Sequence, residues 1–178
     1  MTKWHTVQRE GIYHRVIAPN WMDPADTSFS MQRGGRWNPR DEFGALYLNA
    51  SLQVAAANAR AQHAGRAIKL FDLLPRARPE LVTFGISPVD VLDTCTPVGL
   101  KALGLLANFP FGIEWPPCQA IGRKAYHEGL SGIASRSNAE ATATATVGEE
   151  LALYDQTAGR KLKSRRKFAD WYPDPIPG

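Results

Sequence analysis

The chain has 178 residues, 44% of them hydrophobic and 21% charged, an ordinary globular balance that suits one domain with a real core and argues against long disorder. Its net charge of +4 and pI near 9.2 are mildly basic, which suits nucleic acid or a small anionic ligand and chooses neither. No apolar run approaches the roughly 18 residues of a membrane-spanning helix, and Met1-Thr2-Lys3-Trp4-His5 lacks the apolar core of a signal peptide, so a cytoplasmic protein is expected.

In chain order, Gly11-Ile12-Tyr13-His14-Arg15-Val16-Ile17 is β-branched and aromatic and predicts a strand near 12–17. Arg15 sits inside it, and a charge in an apolar strand needs a partner or a ligand if buried. Residues 18–32, with Pro19, Asn20, Asp23 and Pro24, read as a loop. Next comes Arg33-Gly34-Gly35-Arg36-Trp37-Asn38-Pro39. Glycines let a backbone come close to a ligand, and arginine makes forked contacts with phosphate. Trp37 and Tyr47 add flat faces, so the stretch reads as a cradle for a phosphorylated, ring-bearing ligand.

Gly44 to Leu48 predicts a short strand. Ser51 is a good N-cap for an alanine-rich helix over 52–63, which Gly65 would end. Val54, Asn58 and Ala61 share one face of that helix. Residues 67–71, 81–86 and 89–93 predict further short strands, and 97–106 a helix beginning at Pro97. A loop over 107–117 precedes an amphipathic helix over 119–128. Leu130 to Ala134 and Glu150 to Tyr154 predict two closing strands, with a mobile low-complexity loop over 138–147 between them. From Gly159 onward a basic run and Pro173, Pro175 and Pro177 read as an extended tail, either a solvated face or a contact for an acidic partner or nucleic acid. Short strands among a few helices fit an α/β or α+β domain. Cys95, Cys118 and four scattered histidines show no metal spacing, so no metal is expected.

Several spaced pieces carry a resemblance. Arg15 on an early strand precedes Gly34-Gly35-Arg36-Trp37-Asn38-Pro39, and a Tyr47 strand leads into a helix. Later come Gln119-x-Ile121-Gly122, Gly129-x-x-Gly132-x-x-Ser135 and Glu150-Leu-Ala-Leu-Tyr154. Over residues 11–156 this resembles the RES domain, the toxin of bacterial toxin–antitoxin pairs. The resemblance implies an α+β fold like that of ADP-ribosyltransferases, with a split β-sheet and flanking helices over 1–158, followed by the tail at 159–178. It implies NAD+ as substrate, cleavage at the nicotinamide–ribose bond, and delivery of ADP-ribose to water, phosphate or a protein. It also implies an antitoxin with a DNA-binding domain, so that nucleic acid is met only through that partner. Homodimerisation is compatible with a sheet protein of this size, though no segment argues for it.

By the resemblance, Arg15 and Ser135 match the family's Arg and Ser, and Arg36 and Tyr47 its second Arg and strand Tyr. Arg15, Tyr47, Asn58 and Ser135 are the catalytic candidates; Arg15, Arg36, Trp37, Asn38, Tyr47 and Ser135 are the ligand-binding ones. The family's Glu falls at Asn58, and no Asp or Glu occurs between Glu42 and Asp72. A carboxylate beside the ribose stabilises the cationic transition state, as in glycosidases, and an amide keeps only the hydrogen bond. Either Glu149 or Glu150 reaches the cleft, or a target protein supplies the nucleophile, or the chain is a weak NAD+-binding module that serves its antitoxin complex. On the sequence alone, Asn58→Glu is expected to raise NAD+ turnover.

Overall fold

A computed structural model describes residues 4–139 and 148–172. Most of the expected mobile loop, 140–147, and the proline-rich end from 173 lie outside the described residues. Among the described residues six strands are present: β1 (Thr6–Ile17), β2 (Ala45–Asn49), β3 (Glu80–Thr94), β4 (Gly132–Arg136), β5 (Glu149–Tyr154) and β6 (Arg160–Arg166). The helices are α1 (Ser28–Arg33), α2 (Leu52–His63), α3 (Pro97–Ala102), α4 (Trp115–His127) and α5 (Phe168–Trp171). This is the α+β architecture anticipated above.

The strands run β1-β2-β5-β4-β3-β6, and β1 also pairs with β3. The ladder thus returns on itself and the sheet curls. Only His14↔Asn49 joins β1 to β2, whereas β1 and β3 pair along nearly their whole lengths, so the sheet is split at that narrow join. Its inner side holds Tyr13, Ile17, Leu46, Leu48, Val82, Phe84, Leu151 and Leu153, alternate residues of their strands. On the outer side, α3 and α4 cover a second cluster around Trp37, Phe43, Leu92, Phe109, Ile133 and Tyr154. There α2 and α5 cover a third, with Ala55, Ala56, Ala59, Leu81 and Trp171.

Several boundaries differ from expectation for identifiable reasons. The predicted strands 81–86 and 89–93 are one strand. Pro88 does not break it because the β1–β3 register shifts between Arg9 and Gly11, opposite that point, and a bulge tolerates a missing N–H. Residues 67–71 form no strand. Leu70–Asp72 is a 3-10 turn that drops Leu70 into the α2–α5 cluster. Helix α4 starts at Trp115 with proline in its first turn, where an amide has no helical partner to lose.

The basic run, grouped above with a tail, is β6, antiparallel to β3. Charges on both sides of an edge strand hide its alternation and also discourage a further strand from pairing. Its Arg165 pairs with Glu80 and donates to the carbonyls of Trp21 (3.0 Å) and Pro19 (2.9 Å), fastening the loop after β1. No helix among the described residues is long and apolar enough to cross a membrane.

Candidate active site

The glycine-arginine turn begins where α1 ends. Gly34 closes α1 at φ 74°, a conformation that favours glycine, and its N–H donates to Ser30 O at 2.8 Å. Asn38 is fully buried. Its amide donates to the carbonyls of Ser30 (2.8 Å) and Phe43 (3.1 Å), and its Oδ1 accepts from the Tyr47 hydroxyl at 2.8 Å. That hydroxyl in turn accepts from Trp37 N–H at 3.0 Å. Burial pushes the Tyr47 phenol far above its ordinary range, against the opposing pull of the Trp37 N–H and the Arg36 charge. A Cβ on Gly35 would lie 2.4 Å from the Tyr47 hydroxyl, so the close approach this glycine permits is to the protein's own tyrosine.

Trp37 and Asn38, read from sequence as ligand contacts, therefore face the interior and build the wall of the turn. The indole of Trp37 is buried against Phe109, centroids 5.8 Å apart. Arg36 immediately precedes Trp37 and Asn38 in sequence but differs from both in surroundings. Its Nη1 is buried with no hydrogen-bond partner among the described residues, and its guanidinium lies 5.9 Å from the Phe109 ring centre. Helix α4 clamps the back of the turn. Gln119 donates to Gly35 O at 2.8 Å, and Gly122 lets the Trp37 carbonyl come so close that a Cβ there would lie 1.9 Å from it.

Beside the turn, a polar row crosses the sheet. The registers His14↔Asn49, Asn49↔Glu150, Ser135↔Glu150 and Thr94↔Ser135 place these side chains on one side, since directly paired residues share a face. That is the outer side, and Tyr47, two residues before Asn49, shares it. Asn58 descends on the row from α2. The helix is set by the Ser51 cap, whose hydroxyl accepts from Val54 N–H at 3.2 Å, and by the alanine face packed on β1 and β3. The Asn58 amide donates to Asn49 Oδ1 (2.6 Å) and to Glu150 Oε1 (2.9 Å). Glu150 Oε1 also accepts from the Ser137 hydroxyl at 2.8 Å. Ser135 is buried, and among the described residues its hydroxyl makes only a long contact, 3.3 Å, to Arg136 O.

Arg15 is not brought to this row. Strand alternation turns it to the inner side with Tyr13 and Ile17. There it donates to Pro24 O (2.7 Å) and Asp26 O (3.2 Å) and lies 4.9 Å from the Trp21 ring centre. Burial lowers its pKa to about 10, so it stays cationic at neutral pH and holds the loop after β1. The structure instead places Arg36 by Tyr47 and brings Asn58 and Ser135 to Glu150, one of the two acids expected to reach the cleft, adding Asn49 and Ser137. Asn49 carried one overlooked signal, its place two residues after Tyr47 on the same strand face.

These features define an α+β domain with a cationic and aromatic cradle backed by a carboxylate. The RES domain model matches residues 12–171, taking in β6 and α5, and the chain belongs to the RES domain family. It is 31% identical over 178 aligned residues to proteins named NAD(+) phosphorylase MbcT from Mycobacterium bovis and Mycobacterium tuberculosis, covering 92% of each chain. The crystal structure of the M. tuberculosis MbcT–MbcA toxin–antitoxin complex matches with a TM-score of 0.74 and 24% identity, over 91% of this chain and 86% of the matched one. That likeness establishes the fold.

Proposed function

We propose that this protein is the toxin of a toxin–antitoxin pair and acts by cleaving the nicotinamide–ribose bond of NAD+. The observation that carries the reading is Arg36: a buried guanidinium N–H without a partner is costly to keep and is matched by an anion. Arg36 holds the pyrophosphate, the Tyr47 ring lies against nicotinamide, and the Ser135 hydroxyl meets the ribose. Asn58, at the helix position where the family carries its acid, keeps a hydrogen-bonding role. Trp37 and Asn38 act indirectly, by shaping the turn. Arg15 supports the pocket from behind through the loop it holds. Inorganic phosphate is the favoured acceptor, in keeping with the relatives named phosphorylases, and a cognate antitoxin bearing a DNA-binding domain covers the cleft.

The test is mass spectrometry of adenine-labelled NAD+ incubated with the protein, with and without phosphate and with a cell lysate. Nicotinamide release with phosphate-dependent formation of phosphorylated ADP-ribose is expected. Free ADP-ribose, or a protein gaining the mass of ADP-ribose, would move the acceptor to water or protein. NAD+ binding without any product would refute the enzymatic reading and favour a binding module.

A further inference from the structure

We propose that Glu150 is the catalytic carboxylate of this chain, standing on β5 where α2 carries none, and that Asn58 positions it. The proposal rests on the NAD+-cleaving reading above. Residues 43–71 contain no acid, so α2 offers the site only an amide. That amide reaches Glu150 Oε1 directly, at 2.9 Å, and Ser137 reaches the same oxygen from the other side at 2.8 Å. Both donors are neutral. They orient the carboxylate without cancelling its charge, and Oε2 accepts no hydrogen bond from the described residues.

The neighbouring Glu149 shows the contrast. Alternation turns it to the inner side, where Arg9 grips both its oxygens at 2.7 and 2.8 Å in a forked pair that neutralises it. No such pair reaches Glu150 among the described residues. Glu150 is also the acid next to Ser135 in register, and its charge is felt at Tyr47. A fixed anion there suits the reaction. As the ribose–nitrogen bond breaks, its electron pair leaves with nicotinamide, which becomes neutral, and positive charge develops on the ribose. Glu150 stabilises that charge. Phosphate or water then attacks the anomeric carbon, water losing a proton to solvent, and Glu150 ends the cycle unchanged.

The experiment measures nicotinamide release and NAD+ affinity, by calorimetry, for the full-length protein and its variants. Glu150→Gln keeps a hydrogen-bonding group without the charge. Its kcat should fall by about 10²–10³, the usual loss for one preorganised electrostatic group, with NAD+ affinity changed only a few-fold. Glu149→Gln should keep wild-type kcat. The exchanged pair Asn58→Glu/Glu150→Gln restores an amide–carboxylate hydrogen bond with the charge on the helix side. It should recover at least about tenfold of the lost kcat, a gain of roughly 1.4 kcal/mol. This arm serves equally if Glu150→Gln alone folds poorly. Wild-type kcat in Glu150→Gln, or an exchanged pair no faster than that single variant, would overturn the assignment while the wild type still cleaves NAD+. A wild type that releases no nicotinamide would remove the underlying reading and the assignment with it.

Discussion

Arg36 separates binding from stability more sharply than any other residue of the turn. In Arg36→Met the apolar stem survives and the guanidinium is lost. The native protein then no longer buries an N–H without a partner, a relief of about 1–3 kcal/mol. It gives up the contact with Phe109 at 5.9 Å, worth about 0.5–1 kcal/mol. The free protein should therefore gain roughly 0.5–2 kcal/mol, which for a chain of this size raises Tm by about 1–8 °C. Ligand binding should move the other way. Losing one charge-assisted bond to pyrophosphate costs about 1.5–3 kcal/mol, so Kd should rise about 10–150-fold. Calorimetry with NAD+ and with ADP-ribose, which keeps the pyrophosphate and lacks nicotinamide, should show the same loss for both ligands. A variant that melts lower than wild type yet binds ADP-ribose normally would refute the reasoning and make Arg36 a structural cation.

Tyr47→Phe removes the hydroxyl that links Trp37 N–H to Asn38 Oδ1 and should cost about 2–4 kcal/mol in urea unfolding, with KM for NAD+ changed only a few-fold because the ring remains. Gly122→Ala should gain up to about 1 kcal/mol on helix propensity alone. With the Trp37 carbonyl 1.9 Å from the added carbon, it should instead lose more than about 3 kcal/mol, read as a collapsed Tm or insoluble protein. His14 has its pKa lowered from 6.5 by burial and then by Arg166. The unfolded chain thus takes the proton first, and stability should fall as pH drops below about 6.5. Melting curves between about pH 7 and 5 should slope less in His14→Gln, which can still bond Thr83.

The turn and the α2 helix were legible because their signals are local. The glycines of the turn, a serine cap and an alanine face all act within a few residues of each other, whereas α1 (Ser28–Arg33) lies largely within residues read as a loop. What each residue of the turn does was less legible. Arg36, Trp37 and Asn38 look like one ligand-facing patch in sequence, yet the backbone turns the indole and the amide into the core and leaves the guanidinium apart. Glycine there was read as making room for a ligand, when the neighbours that need the room are the Tyr47 hydroxyl and, at Gly122, the Trp37 carbonyl. For Arg15, the alternation of its strand was readable, but which side the site occupies was not. That depends on β2 lying between β1 and β5, a pairing over more than a hundred residues that no local pattern encodes. The same pairing brings Asn58 to Glu150, and so separates the two strand acids, Glu149 and Glu150, between which no local pattern could choose.

That adjacency reverses the outcome anticipated for Asn58→Glu. In isolation, restoring an acid to α2 would raise turnover. In the folded protein the introduced carboxyl replaces an amide that lies 2.9 Å from Glu150 Oε1, and two carboxylates crowded together there cannot both ionise cheaply. At low pH the new group stays protonated and donates to Glu150 much as the amide does. As pH rises, the proton shared by the pair must leave, and the native state repels itself. A carboxyl pKa raised on folding contributes stability that is complete below the unfolded value, about 4.3, and lost as pH climbs through the raised one. Asn58→Glu should therefore melt close to wild type near about pH 5 and well below it near about pH 8, with kcat falling over the same interval. Adding Glu150→Gln should abolish that pH dependence, because one carboxylate and one amide again face each other. If Asn58→Glu alone is both as stable as wild type at alkaline pH and faster, the two side chains do not share a site, and the carboxylate belongs on the helix after all.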